Sequence, residues 1–185
     1  SLDRTQKTRI ASLYEGHPDN VAASIYGGLT IGTHSETETT VIPCGKIDMD
    51  LLILIPRQEL LTSDARGILP ESLSFKKAVE GSSIANVLVA ALFQQDWETA
   101  GRMMTKDVFH QPYRAAIVPH LNELLSWTDK EDIFGIALSG AGPSILCFVN
   151  PETSHIQLQK FQEIFTDYQV EKLIVDPNGT TVSVL

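Results

Sequence analysis

Hydrophobic and polar residues in the first third of the chain predict two helices followed by three strands. Residues 2–14 show a weak helical spacing that ends at Gly16; no cap or strand precedes this helix, so we expect the native chain to begin further upstream. A second helix, capped by Asp19 or Asn20, would end at Gly27. The predicted strands cover residues 29–33, 41–42 and 49–55, and the last is typical of a strand buried on both faces.

Helical spacing dominates the middle of the chain, and strand patterns return towards its end. The predicted helices cover residues 75–93, 97–104, 117–127 (with Pro119 in its first turn) and 155–168. The predicted strands cover residues 133–138, 144–149, 170–175 and 180–184, with an Asn-Gly turn before the last. Because the order lacks strict β-α-β alternation, we expect an α+β sandwich with helices on one face of a largely antiparallel sheet, not a doubly wound parallel sheet.

Composition narrows the functional classes. The chain has 14 Lys and Arg against 23 Asp and Glu, a net charge of -9 that opposes binding to nucleic acid. Its longest apolar run falls well short of the roughly 20 residues that a membrane helix needs, and no basic leader opens the sequence. Cys44 and Cys147 lack the spacing of a zinc site or a secreted disulfide framework. We expect a soluble cytoplasmic protein with no nucleic-acid and no membrane partner.

The turn at residues 15–20 (Glu-Gly-His-Pro-Asp-Asn) concentrates two acids, an imidazole and an amide between two predicted helices. Backbone N–H groups at a helix start can also bind anions, which makes this turn a candidate binding site. The alternative is structural, with Asp19 or Asn20 capping the helix, Pro18 in its first turn and His17 exposed.

Residues 139–144 (Ser-Gly-Ala-Gly-Pro-Ser) form a glycine-rich loop between two predicted buried strands. Glycines leave backbone amides open to close approach by a ligand, as in phosphate-binding loops. The structural alternative is a tight turn between core strands.

Two arginines are candidates for binding a carboxylate. Thr62 and Arg66 are four residues apart, which places a hydroxyl and a guanidinium on one face if the segment is helical. Arg114 follows a Pro-Tyr pair near apolar residues. Together the arginines could bind a carboxylate through paired hydrogen bonds, although each taken alone is better explained as a surface or salt-bridge residue.

A glycine followed by Ser82 and Ser83 resembles part of a phosphate loop. We reject that interpretation because no glycine-rich turn after a strand precedes it. The segment lies within a helical pattern, where either serine could be an N-cap.

Taken together, these motifs resemble the homoserine kinases, a family of GHMP small-molecule kinases. Residues 15–22 followed by Gly27 and Gly28 resemble the family's substrate-side signature, and residues 135–144 resemble the third glycine motif of the superfamily. The segments between them that follow the family's order are residues 62–66, 112–114 and 118–119. The resemblance covers essentially the whole chain.

The family's ATP-binding loop, Pro-x-x-x-Gly-Leu-Gly-Ser-Ser, does not occur in this sequence and would precede Glu15. The chain therefore resembles the C-terminal portion of enzymes that have about 300 residues. Residues 1–31 would be the end of the N-terminal kinase domain. Residues 32–185 would be the C-terminal domain, with a ferredoxin-like topology.

The resemblance implies transfer of the γ-phosphoryl group of ATP, with Mg²⁺, to the hydroxyl of L-homoserine, giving O-phospho-L-homoserine on the route to threonine. The implied substrate-binding residues are His17, Asp19, Thr62, Arg66, Arg114 and Gly140. The two arginines would hold the substrate carboxylate. A catalytic base is not obligatory for this reaction, and Asp19 is the best candidate for one.

Without the ATP-binding loop, we expect the 185-residue chain to be inactive on its own and to contain no nucleotide-binding or metal-binding residues of its own. Leu13, Tyr14, Val21 and Ile25 would lose the sheet that they pack against in the family. We therefore expect this segment to be disordered, rearranged or covered by a second copy, and we expect a homodimer.

Two alternatives stay open. The chain could be a folded or dimerising piece without catalysis, or it could come from another GHMP kinase of the mevalonate or galactose type. The His-Pro-Asp-Asn stretch at residues 17–20 favours homoserine.

Overall fold

The structure, a computed structural model, divides the chain into two units. It describes residues 2–58, 60–128, 130 and 132–181, except for the side chains of Thr62 and Ser63. Among these residues, unit 1 combines 2–48 with 174–181, and unit 2 covers Met49–Leu173. The predicted division at residue 31 refers to the domains of the family and remains a prediction.

Helix α1 (Arg4–Glu15) forms where the spacing of residues 2–14 predicts it. The Asp3 carboxylate accepts a hydrogen bond from the Gln6 N–H (2.7 Å), and the Gln6 side chain accepts one from the Asp3 N–H (3.0 Å). This reciprocal pair satisfies two backbone donors that a helix start leaves without partners. The expectation of an uncapped start is therefore wrong.

The remaining elements of unit 1 are a short helix and a two-stranded sheet. Helix α2 (Asp19–Tyr26) ends at Gly27 as predicted. Its N-cap residue is Pro18, which makes no side-chain cap hydrogen bond, so the expected cap by Asp19 or Asn20 is wrong. Strands β1 (Leu29–His34) and β2 (Thr39–Gly45) then pair in antiparallel orientation.

Residues 176–180, near the end of the chain, belong to unit 1 and pack against the end of α2. The Thr180 hydroxyl donates a hydrogen bond to the Ser24 carbonyl (2.9 Å). Gly27 and Gly179 approach each other so closely that a Cβ atom on either would collide with the backbone of the other. Both have positive φ angles, so only glycine fits there without strain.

Unit 2 is built on a four-stranded antiparallel sheet. Its strands are β3 (Asp50–Pro56), β4 (Ile133–Leu138), β5 (Ile145–Val149) and β6 (Tyr168–Leu173). They lie in the order β4-β5-β3-β6, and every neighbouring pair is antiparallel. Helices join β3 to β4 and β5 to β6, which gives the β-α-β-β-α-β connectivity of a ferredoxin-like fold. The predicted α+β class with an antiparallel sheet is confirmed.

The helices of unit 2 lie mostly between β3 and β4. In chain order they are α3 (Thr62–Gly67), α4 (Phe75–Gln94), α5 (Trp97–Thr105), α6 (Gln111–Arg114), α7 (Leu121–Leu125) and α8 (Ser154–Ile164). Only α8 falls between β5 and β6, where it supplies apolar side chains to the core.

The core of unit 2 lies along one face of its sheet. Leu52 and Leu54 of β3 are fully buried, as are their cross-strand partners Cys147 and Ile145. Phe161 of α8 is also fully buried in the same cluster. The intervening β3 residues are only partly buried, so β3 is less enclosed on its second face than its continuous apolar run predicts.

Two predicted helices of unit 2 differ from the observed ones. Helix α4 continues through Gly81, where Phe109 occupies the space that a side chain would need. Ser82 and Ser83 are therefore interior helical residues, and the N-cap role considered for them is wrong. The helix predicted over residues 117–127 is shortened to α7, which follows Pro119 rather than including it in a first turn.

The strand predicted at residues 170–175 is observed as β6, which begins and ends two residues earlier. Residues 182–184 of the last predicted strand lie outside the described residues. Among the helices that the structure describes, none is long and apolar enough to cross a membrane.

Candidate functional site

The turn between α1 and α2 brings His17 and Asp19 together in unit 1. Gly16 ends α1 in a left-handed conformation (φ 92°), which a residue with a side chain adopts with difficulty. His17 Nδ1 then lies 3.0 Å from Asp19 Oδ1. The two side chains are 46% and 68% exposed, so both groups are accessible to a ligand.

Electrostatics keep the Asp19 carboxylate ionised. Partial burial raises its pKa, but the hydrogen bond from the Asn20 N–H (2.7 Å) and the interaction with His17 outweigh burial and lower the pKa below its ordinary value. Asp19 is also the first residue of α2, where the helix dipole favours a negative charge. The carboxylate can therefore accept a hydrogen bond from an ammonium or a hydroxyl group.

In unit 2, the glycine-rich loop at residues 139–144 is a tight turn between β4 and β5. The Ser139 N–H donates to the Ser144 carbonyl (2.9 Å), and the Gly142 N–H donates to the Ser139 carbonyl (3.0 Å). Gly140 (φ 59°) and Gly142 (φ 85°) take left-handed backbone conformations that glycine adopts without cost. The loop is therefore a tight turn between the two strands. Its Gly140 carbonyl also accepts a hydrogen bond from an arginine.

Arg114, on α6, reaches both the glycine-rich loop and α3. Its Nη1 donates to the Gly140 carbonyl (3.3 Å) and its Nε to the Ala65 carbonyl (3.1 Å). The residue is only 7% exposed. Burial lowers the pKa of the guanidinium, Arg66 lowers it further, and the Asp107 carboxylate opposes both. Arginine nevertheless stays protonated at neutral pH, so a cation is fixed beside the loop.

Helix α3 carries the other two predicted residues of this unit. The four-residue spacing of Thr62 and Arg66 does fall on a helix, and Arg66 is exposed at its surface. The Thr62 side chain lies outside the described part of the chain. The Arg66 charge lowers the pKa of the Arg114 guanidinium, as a second cation in its vicinity does.

Asp107 and Gln111 belong to this part of unit 2 and were missed by the sequence interpretation. The Asp107 carboxylate accepts hydrogen bonds from the backbone at the start of α6, and the Gln111 carboxamide bonds to the end of β4. No local signal marked Asp107, because it lies three residues before the N-cap residue His110 and not at the cap position itself. The buried partners of Gln111 had no signal, because they are distant in sequence.

The structure groups the predicted residues by unit. His17 and Asp19 are in unit 1, whereas Arg66, Arg114 and Gly140 are in unit 2. No group of three or more His, Cys, Asp or Glu side chains within the described ranges could hold a metal ion.

Part of the chain matches a known protein family. A family described as "GHMP kinases C terminal" matches residues 88–166, which run from within α4 to just beyond α8 in unit 2.

The chain is also similar to curated proteins over almost all of its length. A homoserine kinase of Halalkalibacterium halodurans is 53% identical over 183 residues, a match that covers 98% of this chain and 59% of that protein. The chain spans about three fifths of the length of the curated relatives that it matches.

Solved structures share the fold. A Listeria monocytogenes protein assigned as a homoserine kinase superposes with a TM-score of 0.80 at 33% identity, covering 97% of this chain and 59% of that one. A mevalonate kinase of L. major has a TM-score of 0.70 at 16% identity, covering 97% and 60%. The second likeness shows the fold alone, so the fold does not distinguish the substrates of these kinases.

Proposed function

We propose that the chain is part of a GHMP kinase and that the whole protein phosphorylates L-homoserine, because residues 88–166 match a family described as "GHMP kinases C terminal" and the chain aligns with homoserine kinases over nearly its whole length. The γ-phosphoryl group of ATP is transferred to the side-chain hydroxyl, giving O-phospho-L-homoserine. Production of this phosphate ester places the protein in threonine biosynthesis.

The observation that best supports this proposal is the buried Arg114 beside Gly140. A guanidinium with two backbone hydrogen bonds is fixed in orientation and keeps further N–H donors for a ligand. Arg66 adds a second positive charge nearby. Two cations would suit the carboxylate of an amino-acid substrate, and we keep Thr62, which belongs to the same helix as Arg66, as a proposed substrate-binding residue.

We assign the turn of unit 1 to the other polar groups of homoserine. An ionised Asp19 suits the substrate ammonium or the hydroxyl that attacks phosphorus, and it is the best candidate for a base. His17, 3.0 Å from that carboxylate, orients it. Phosphoryl transfer depends mainly on positioning and charge neutralisation, so a modest contribution from such a base is sufficient.

ATP is the proposed phosphoryl donor, but the described residues offer no metal site. No cluster of carboxylate or imidazole groups among them fits Mg²⁺, so we derive no step through the metal from these residues. The glycine-serine loop that binds ATP in the family is also absent from the sequence. We therefore propose that these 185 residues alone do not catalyse the reaction, because little in them would neutralise the triphosphate.

The exposed apolar residues of α1 are the proposed contact surface between two copies of the protein. Tyr14 is 94% exposed and Leu13 52% exposed, although the helix itself is formed and capped. Val21 and Ile25, by contrast, are partly buried within unit 1. A second copy that covers Leu13 and Tyr14 would remove this apolar surface from water, so we propose a homodimer.

A coupled ATP-consumption assay tests the proposed substrate. The whole protein should turn over with L-homoserine and not with mevalonate or galactose. The 53% identity to a homoserine kinase, against 16% to a mevalonate kinase, favours this outcome over another GHMP substrate. The 185-residue chain should be inactive in the same assay, and turnover with mevalonate or galactose alone would contradict the assignment.

A further inference from the structure

Three backbone donors converge on one carboxylate at the start of α6. Asp107 accepts hydrogen bonds from the N–H groups of Phe109 (2.8 Å), His110 (3.0 Å) and Gln111 (2.6 Å). The N-cap residue of this helix, His110, makes no side-chain cap hydrogen bond. Asp107 therefore takes over the capping of α6 from three residues upstream.

Gln111, the first residue of α6, is 6% exposed and uses both ends of its carboxamide. Its Nε2 donates to the Met104 carbonyl (2.8 Å), and its Oε1 accepts from the Leu138 N–H (3.3 Å). A carboxamide can donate and accept at once, and no apolar side chain of similar size can do either. Gln111 thus ties the end of α5 to the last residue of β4.

Gln111 and Arg114 are three residues apart and act on the same loop from one face of α6. Gln111 holds the N–H of Leu138, and Arg114 holds the carbonyl of Gly140. The two bonded groups flank Ser139, where the glycine-rich loop begins. One short helix therefore fixes the entrance of that loop through both a donor and an acceptor.

We infer that Asp107 and Gln111 are positioning residues that set the glycine-rich loop against the Arg114 guanidinium. Asp107 fixes the start of α6, and Gln111 fixes the point where the chain leaves β4. Gly140 then stays within hydrogen-bond distance of Arg114. The part of this inference that concerns substrate rests on the proposed function, whereas the part that concerns the loop does not.

Simple packing is an insufficient explanation for Gln111. A buried carboxamide must lose its contacts with water, so it is retained at low cost only if both of its ends are bonded. A methionine has nearly the same length and would fill the same volume without polar groups. Replacement by methionine therefore separates volume from hydrogen bonding.

The test compares Gln111→Met with Gln162→Met in the 185-residue chain. Gln162 also donates one side-chain hydrogen bond to a backbone carbonyl of unit 2, at Val170 (3.0 Å), but it lies on α8. Amide hydrogen exchange should rise about tenfold or more at residues 138–142 and 144 in Gln111→Met, because the half-buried Leu138 N–H loses its acceptor. Exchange at Cys147 should stay unchanged, and Gln162→Met should leave the loop protected.

Equal exchange of the loop in both variants, or no change in either, would overturn the inference. If Gln111→Met does not fold, Asp107→Asn provides the second test. An asparagine offers one acceptor oxygen where Asp107 uses two, so the amides of residues 109–111 and the loop should exchange faster. Protection of the loop in a folded Asp107→Asn would equally overturn it.

Kinetics of the whole protein separate the inference from the proposed function. In Gln111→Met, the KM for homoserine should rise about tenfold, while the KM for ATP changes less than about twofold. Gln162→Met should change neither. A loosened loop with an unchanged homoserine KM would overturn the role in substrate positioning. A wild-type protein that does not use homoserine would contradict the proposed function and leave the loop result intact.

Discussion

The predicted site residues of unit 1 and those of unit 2 are held in place in opposite ways. The His17–Asp19 pair of unit 1 is exposed, and the hydrogen bonds of the Asp19 carboxylate to His17 and Asn20 join residues one or two positions apart. Arg114 in unit 2 is buried, and its partners are 49 and 26 residues away. A substitution in the exposed pair should therefore affect mainly the catalytic activity. A substitution of Arg114 should affect both the activity and the stability of the fold.

Arg114→Ala is the variant with the largest expected effect and tests the buried half of this contrast. Removing the guanidinium leaves the carbonyls of Ala65 and Gly140 without donors, which should lower the free energy of unfolding by on the order of 2–4 kcal/mol. Urea denaturation of the 185-residue chain measures this loss. In the whole protein, kcat/KM for homoserine should also fall about tenfold or more.

Arg66→Ala is the matched control for that variant. Arg66 is exposed on α3, so its removal should leave the free energy of unfolding nearly unchanged. It should lower kcat/KM for homoserine by a similar factor, because both arginines would hold the same carboxylate. Equal loss of stability in the two variants would break the distinction between them.

Asp19→Asn tests the exposed half of the contrast. The change keeps the size of the side chain and removes its charge, so kcat of the whole protein should fall at least tenfold. The melting temperature should fall by no more than about 4 °C, since the carboxylate is exposed and its charge has only a weak interaction with the helix dipole. Asp48→Asn, at another exposed aspartate of unit 1, should change neither quantity. A melting temperature that falls in step with kcat would point to a structural role instead.

The pH dependence of stability sharpens the comparison between Asp19 and Asp107. Burial raises the pKa of Asp107, but the hydrogen bonds from His110, Gln111 and Phe109 outweigh it and hold the pKa at about 2, below the ordinary 3.8. A pKa that is lowered by folding stabilises the folded state above the ordinary value and loses that effect as pH falls towards 2. Allowing for solvent screening, this stabilisation is about 1–2 kcal/mol.

Unfolding by urea at a series of pH values measures this effect. The difference in unfolding free energy between the wild-type chain and Asp107→Asn should be largest above about pH 5 and should shrink as pH falls to about 2. Asp19→Asn should show much less of this pH dependence, because its carboxylate is exposed. A difference that stays constant with pH in Asp107→Asn would mean that ionisation of Asp107 does not contribute.

The same contrast explains how much of the molecule the sequence could predict. The helices on either side of residues 15–20 and the glycine loop after β4 follow from spacing and from glycine positions, which are local properties. Order of elements was enough to predict the α+β class with an antiparallel sheet. The cap by Asp3 was missed because the predicted helix starts at Leu2, which places Asp3 inside the helix rather than at its N-cap.

Contacts over long sequence distances could not be predicted in this way. The α6 turn has only four residues, too few for a helical period to be visible, and Gln111 finds its partners on α5 and β4. The end of α2 at Gly27 was predicted, but nothing local indicates that Gly179 would pack against it. Such contacts depend on the tertiary fold, so the sequence pattern contains no signal for them.

The interlock of Gly27 with Gly179 has a consequence for how the protein is made. The hydrogen bond from Thr180 to Ser24 joins residues 156 positions apart, and the chain between them includes all of unit 2. Synthesis on the ribosome proceeds from the N terminus at roughly 5–20 residues per second, so α2 is made about 8–30 seconds before its partner segment. Unit 1 therefore cannot complete its fold until its C-terminal segment has been synthesised. Unit 2, whose residues are all made earlier, is the first of the two that can finish folding.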